Sequence, residues 1–342
     1  MREIRGRARL VIGWSLFRGG RKRNKNMENN KTSSLFIIGN GFDISHSLKT
    51  NYNDFKKYLI KRFKIKDPDS GIFDYVDLPS INSKTLEYNE EEIVMLVIDI
   101  INKVEGKKWS DLEKNLSLID FSMYLEEFDE PENFKEIYLR NDEKSQSFLT
   151  FLEIKKYFRD WIKSIKIEKA KHKNDFQKLL NIDSDKFLSF NYTSTLEITY
   201  RISKENICYL HGNAKEKDEL YFGHGEETEN YKEKDDFEYD KYETQNNIIE
   251  SLKKDTKDTN EVLKRNKNFF SNLKNIGKIY SYGFSYGKVD LIYIEKICKE
   301  INTSNVVWYF NDFDSEAEIK KYIEIIKKLG FRGKVSTFHI ER

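Results

Sequence analysis

An α/β fold with a mostly parallel sheet and helical insertions is the architecture this sequence predicts, on three observations. Its C-terminal third alternates strand and helix: "KIYSYGFS" (278–285), "VDLIYIEKICKEI" (289–301), "NVVWYF" (305–310), "EAEIKKYIEIIKKLG" (316–330) and "KVSTFHI" (334–340). The strands are of the buried type that parallel sheets use, and the intervening helices supply crossovers. The same passage from apolar run to polar or glycine turn to helix start recurs in "SSLFIIGNGFDISHSLKT" (33–50) and "LSFNYTSTLE" (188–197).

In chain order, Leu35 to Ile38 form the first short strand, broken by Gly39 and Gly41. Asp43 then stands where a following helix would want its N-cap. "TNYNDFKKYLIKRF" places Tyr52, Phe55, Leu59 and Phe63 on one helical stripe. A helical insertion is expected over about 64–182, loop-like to residue 89 and then helical in "EEEIVMLVIDIINKV", "SDLEKNLSLIDFSMYLEEF" and "SQSFLTFLEIKKYFRDWIKSI". Strand rhythm returns in "DKFLSF", "NICYLHG" and "ELYFGHG". A polar insertion is expected over about 226–260, where apolar anchors are few. Residues 27–342 read as one domain, with no internal repeat.

The 342 residues carry a net charge of +2, but residues 1–26 hold nine Arg or Lys and one Glu, which leaves −6 for the rest. Nucleic-acid binding therefore has no support outside this basic tail. The expected translation start is Met27, with residues 1–26 untranslated; the competing reading is a basic arm for nucleic acid or an anionic membrane. Cys208 and Cys298 are too few and too distant for a zinc quartet or a disulfide framework, so a reducing cytoplasm and no metal are expected. No apolar run reaches the length of a bilayer span.

Four junctions carry candidate chemistry. In the first, Gly39, Asn40, Gly41 and Phe42 lead into a helix start, where backbone N–H groups and the helix dipole can cradle an anion. Gly41 is expected to admit close approach of a ligand at positive φ. Ile44 stands where a full dinucleotide fingerprint needs its third glycine. In the second, Asn191 ends a strand and is placed to hydrogen-bond a ribose or amide; the alternative is a plain turn capped by Thr193 or Ser194. In "YLHGN", His211 before Gly212 is a candidate proton-transfer group, and His224 in "YFGHG" is a ligand contact or a turn residue. In "SYGFSYGKVD", Gly283, Ser285 and Gly287 precede a helix start that can take a phosphate or ribose, or simply be a capped turn. "WSDLE" (109–113) is read as a capping box from Ser110 to Glu113, with Trp109 packing. A nucleotide-shaped pocket uses all four junctions.

The order GNGFD, W-x-D-L-E, FNYT-x-TLE, LHG, FGHG and G-x-S-x-G-x-x-D, from about Leu35 to His339, resembles the AbiH family of bacteriophage abortive-infection proteins. That resemblance implies a role in phage resistance. More distantly, GNGFD, S-x-N, HG and GFS follow the order of the sirtuin-like NAD-binding motifs G-A-G-x-S, Q-N-x-D, H-G and G-T-S. This second resemblance implies a Rossmann-like (sirtuin-like) sheet and NAD as ligand or substrate. It gives the glycine loop to Gly39, Asn40 and Gly41, the ribose contact to Asn191, the catalytic histidine to His211, and adenosine-side contacts to Gly283 and Ser285. The departures are Thr193 for aspartate, Asn40 for a small residue and Asp43 for serine. The structural zinc cysteines are missing, so cofactor cleavage is expected rather than deacetylation.

The expectation is NAD hydrolysis with Asn191 holding ribose or water, His211 removing a proton, and Asp43 stabilising positive charge. Its rival is a non-enzymatic nucleotide-binding sensor that gates a partner. The expected partners are a nucleotide, a phage component as trigger and a second copy of the chain.

Overall fold

The computed structural model describes residues 32–66, 79–85, 87–106, 108, 109, 112, 149–221 and 259–341, which lie in one unit, Thr32–Arg342. The six strands are β1 (Ser33–Ile38), β2 (Lys186–Ser189), β3 (Ile207–Tyr209), β4 (Ile276–Tyr282), β5 (Val307–Asn311) and β6 (Lys334–Phe338). They form one sheet in the order β3-β2-β1-β4-β5-β6, and every pairing is parallel. The α/β expectation holds, and the order is the doubly wound, Rossmann-like one. The chain works outward from β1 through β2 to β3, then returns to start β4 on the other side of β1. That reversal makes the β1/β4 boundary the switch point.

Register decides what meets there. Ile38 pairs with Ser189 and with Tyr282, and Ser189 pairs with Tyr209. The four strands therefore end level, and the turns after them, carrying Gly39, Asn191, His211 and Gly283, share one edge.

Alternation along β1 sorts its side chains between two cores. Leu35 and Ile37 join Leu188 and Ile279 in a layer shared with Val262 of α7 (Thr259–Arg265), Phe270 of α8 (Lys267–Ser271), Tyr293 and Ile297 of α9 (Leu291–Glu300) and Ile326 of α10 (Glu316–Lys328). Phe36 and Ile38 join Phe42, Phe176, Leu196 and Tyr200 on the other face, from α1 (Asn40–Ser45), α5 (Asn174–Leu179) and α6 (Thr195–Tyr200). Across that face Phe187, Phe36, Tyr280 and Tyr309 stack with ring centroids 5.1, 4.9 and 4.7 Å apart. In-register parallel pairing produces this ladder, because it sets like positions side by side.

A third core is built by the helices inserted between β1 and β2. Phe55 and Leu59 of α2 (Tyr52–Phe63), Val94 and Val97 of α3 (Glu90–Glu105), and Tyr157, Phe158 and Trp161 of α4 (Ile154–Ser164) pack with Trp109. Asn51 and Asn89 cap α2 and α3 through their side-chain oxygens, which fixes both helix starts. Trp109 packs, as expected; Ser110 and Glu113 lie outside the described residues. This third core also takes in Tyr192, Ala214 and Leu220, so it reaches beneath the turns that follow β2 and β3.

One expected strand is absent among the described residues. Glu219–Tyr221, expected as the start of a strand, has no strand structure; Tyr221 N–H instead donates to the His211 carbonyl at 3.1 Å. The remainder of that run, with His224, and most of the polar 226–260 stretch lie outside the described residues, as do residues 1–31. Among the described residues, no helix is long and apolar enough to cross a membrane.

Candidate functional site

The glycine turn after β1 works differently from its expected role. Gly39, not Asp43, is the N-cap of α1, and its φ of −115° is extended backbone open to any residue. Gly41 has no positive φ either. What both positions lack room for is a Cβ: at Gly39 it would lie 2.3 Å from the Gly283 carbonyl oxygen, and at Gly41 2.7 Å from the Gly283 Cα. Gly283, at φ +65°, returns the constraint, since its Cβ would meet the Phe42 nitrogen at 2.3 Å. The turns after β1 and β4 thus cross in backbone contact. Gly39 N–H donates to the Tyr282 carbonyl, Gly41 N–H to the Gly283 carbonyl and Phe42 N–H to the Gly39 carbonyl. Donors expected to converge on an anion are engaged within the protein.

Phe42, expected to contact a cofactor, is fully buried against Phe176, Tyr282 and His46. Because α1 starts at Asn40, position 42 points into the core. Asn40 is exposed, and its amide donates to the Thr50 carbonyl at 2.9 Å, tying the turn to the loop before α2. Ser285 is exposed on the β4 turn. That turn is anchored from inside by Tyr286, whose hydroxyl lies 2.6 Å from Ser281 Oγ.

Starting α1 at Asn40 also turns Asp43 inward, where it is 1% exposed. Thr193 Oγ1 donates to its carboxylate, and Thr195 Oγ1 donates to Thr193 Oγ1 at 3.1 Å. Burial pushes the Asp43 carboxyl up to about 6, with bonds from Thr193, Thr195 and Asn191 pulling the other way. Among the described residues, Asp43 Oδ1 and Asn191 Oδ1 have no hydrogen-bond partner, although Asn191 is 5% exposed. A buried acceptor without a donor is costly in a folded protein.

His211 lies in the next turn, 4% exposed. Phe190 stands edge-on to its ring at 5.5 Å and Tyr192 is tilted at 5.6 Å. Its Nε2 is 3.2 Å from Asp290 Oδ1, at the start of α9. Gly212 follows at φ +79°, with no space for a Cβ against the Glu219 carbonyl, so the chain doubles back on itself. Asn213 is fully buried; its amide donates to Ser194 Oγ at 2.9 Å and joins the turn after β3 to the start of α6. Ser194 is the N-cap of α6, one of the two residues foreseen for it.

Arg159 of α4 holds this loop from below, donating to the backbone carbonyls of Ala214 at 3.4 Å, Glu216 at 3.1 Å and Asp218. Charge-assisted bonds to three carbonyls of one loop fix its path. Arg159→Ala should therefore speed amide hydrogen exchange across residues 213–221 by about ten-fold or more, while global melting moves by only a few degrees. Exchange–mass spectrometry on the peptide that contains His211 reads this directly; unchanged protection would remove the clamp.

Asp290, Asn213, Thr195 and Arg159 join the candidates only in the structure. The first three carry a local signal, the final Asp of G-x-S-x-G-x-x-D, the Asn after HG and the Thr of TLE; Arg159 carries none. The family model described as bacteriophage abortive infection AbiH matches residues 35–312, well over half of the chain and all four junctions. This chain belongs to the AbiH family. No curated protein and no solved structure gives a significant match. AbiH membership ties the protein to bacteriophage abortive infection, and the described geometry locates where the family's motifs meet. GNGFD, FNYT-x-TLE, LHG and G-x-S-x-G-x-x-D all contribute to the one polar edge of the sheet.

Proposed function

We propose that this AbiH protein acts in phage resistance by hydrolysing NAD at the nicotinamide–ribose bond, at the carboxyl edge of β1, β2 and β3. The observation that carries the reading is the buried pair of Asp43 and Asn191, each with an acceptor oxygen lacking a partner among the described residues, on the edge that also holds His211. A ribose supplies the hydroxyl donors such a pair requires. A buried carboxylate also suits the positive charge that develops at the sugar as the glycosidic bond opens. In the proposed reaction the C1′–N bond breaks and its electron pair leaves with nicotinamide, neutralising the ring. Water oxygen then bonds to C1′, and His211 takes the water proton, a role typically worth about 10²–10⁴ in rate.

The sensor reading has its own support in the helical core that runs beneath Tyr192 and Ala214, together with the Arg159 clamp. Incubating the purified protein with NAD and following free nicotinamide by chromatography, beside calorimetric binding, separates the two. Release that falls by about 10² or more in His211→Ala, with NAD affinity within a few-fold, is the expected result. Tight NAD binding without release, with phage extract present, would transfer the pocket to the sensor reading.

A further inference from the structure

We infer that Asp290 is the positioning residue for His211, fixing its ring through Nε2 so that Nδ1 is the nitrogen free to accept a proton. The inference rests on the reading of His211 as the proton acceptor and gives that residue the partner the chemistry needs.

Asp290 closes the 3-10 turn Lys288–Asp290 that leads into α9; its backbone is already helical (φ −88°, ψ −7°), and its side chain makes no cap bond to α9. Its Oδ1 instead lies 3.2 Å from His211 Nε2, across 79 positions of chain, with side-chain exposures of 18% and 5%. The described bond of this carboxylate ties the turn after β4 to a histidine at the end of another strand.

The surroundings hold both partners in place. Phe284, on the β4 turn, stacks on Phe190 at 4.3 Å, and Phe190 is edge-on to the His211 ring. Tyr293, three residues beyond Asp290 on α9, meets Phe190 at 5.9 Å. Asp290 N–H donates to the Gly287 carbonyl at 2.9 Å, which sets the backbone from which the carboxylate projects. The turn after β4 and the turn after β3 are thus packed through Phe190 before the His211–Asp290 hydrogen bond is counted.

A carboxylate accepting from Nε2–H selects that tautomer by elimination and leaves the lone pair on Nδ1. When Nδ1 takes the proton of the attacking water, both ring nitrogens carry hydrogen, and the adjacent carboxylate stabilises the cation in a poorly solvated site. Asp290 itself neither gains nor loses a proton in this step.

Asp290→Asn separates a charged, tautomer-setting partner from a structural tie, because an amide can still hold Nε2 but can either accept from it or donate to it, so it neither carries the charge nor dictates the tautomer. Two measurements are needed: histidine ring ¹H–¹⁵N correlation spectra, assigned by His211→Gln among the five histidines, and steady-state nicotinamide release. Wild-type His211 should appear as the Nε2–H tautomer, and Asp290→Asn and Asp290→Ala should shift it toward a mixture. In Asp290→Asn, kcat should fall by about 10²-fold with KM within about three-fold. An Nδ1–H tautomer in the wild type, or an unchanged kcat and tautomer in Asp290→Asn, would overturn the assignment. If wild-type protein releases no nicotinamide, the hydrolase reading fails on that result alone. The ring spectra then decide the pairing: a shift in Asp290→Ala upholds it and an unchanged spectrum ends it.

Discussion

Replacing Gly283 by alanine should lower stability by about 2–5 kcal/mol. Two separate costs combine there. The left-handed φ of +65° penalises any Cβ by about 1–2 kcal/mol, and the added atom would lie 2.3–2.5 Å from the backbone of Gly41 and Phe42. Backbone at that distance cannot rotate away as a side chain tip can, so the β1 and β4 turns must separate. The two costs can be measured apart. Gly106→Ala adds a Cβ at φ +69° and ψ −159° with nothing within 4 Å, so its loss, about 1–3 kcal/mol, is backbone strain alone. Gly41→Ala adds crowding without a positive φ, and should lie between the two. Because Gly41 and Gly283 relieve one shared contact, their double mutant should be less destabilised than the sum. Thermal unfolding should show a drop of about 5 °C or more for Gly283→Ala; a shift under 2 °C would mean the turns do not touch as described.

The same turn shows what the sequence could and could not convey. Strands, turns and helix starts were legible because their signals are local: apolar runs, glycines, and N-capping side chains such as Asn51 and Asn89. A glycine in a strand-to-helix turn, however, reads identically whether it admits a ligand or another piece of backbone. Only the register, which sets Ile38 beside Tyr282, reveals that the neighbour of Gly41 is Gly283. Asp43 differs from its expected role for a related reason. It is the residue in the turn whose type best suits a cap, but α1 begins three residues before it, at Asn40. That shift rotates Asp43 and Phe42 into the interior.

Candidate residues were legible as types at strand ends and illegible as partners. His211 stood out before its glycine, but nothing near it in the chain announces Asp290, which is brought over by the β4 turn. Arg159 was invisible because its role lies in which carbonyls it reaches, and any helix in the insertion offers exposed cations. The two unsatisfied oxygens on Asp43 and Asn191 exist only as a consequence of burial, a property the strand-end motif does not encode.

Burial of Asp43 makes a second prediction, in which stability and activity should move in opposite directions. Asp43→Asn should stabilise the protein at pH 7 by up to about 3 kcal/mol while abolishing nicotinamide release. The carboxyl is raised from 3.8 to about 6 by burial, roughly two units of about 1.4 kcal/mol each. A carboxylate whose pKa is raised by folding is disfavoured when ionised, so its cost is full above about pH 6 and disappears below about pH 4. Asparagine keeps an oxygen for the Thr193 hydroxyl and carries no charge to desolvate. The gain should therefore be largest at neutral pH and vanish near pH 4.

His46 sharpens the test. Burial, as the main cause, lowers its pKa from 6.5 to about 4, and its ring is held neutral between the Phe42 carbonyl and the Tyr200 hydroxyl. A histidine with a depressed pKa costs stability as pH falls from about 6.5 toward 4, the opposite sense to Asp43 over nearly the same interval. The two slopes offset each other in the wild type. Removing the Asp43 carboxyl exposes the His46 slope, so Asp43→Asn should lose stability on acidification more steeply than the wild type. Denaturant midpoints at pH 7, 5.5 and 4 measure this. A variant less stable than the wild type at pH 7, or a difference independent of pH, would show that the Asp43 carboxylate is satisfied in solution and leave the buried pair without its proposed purpose.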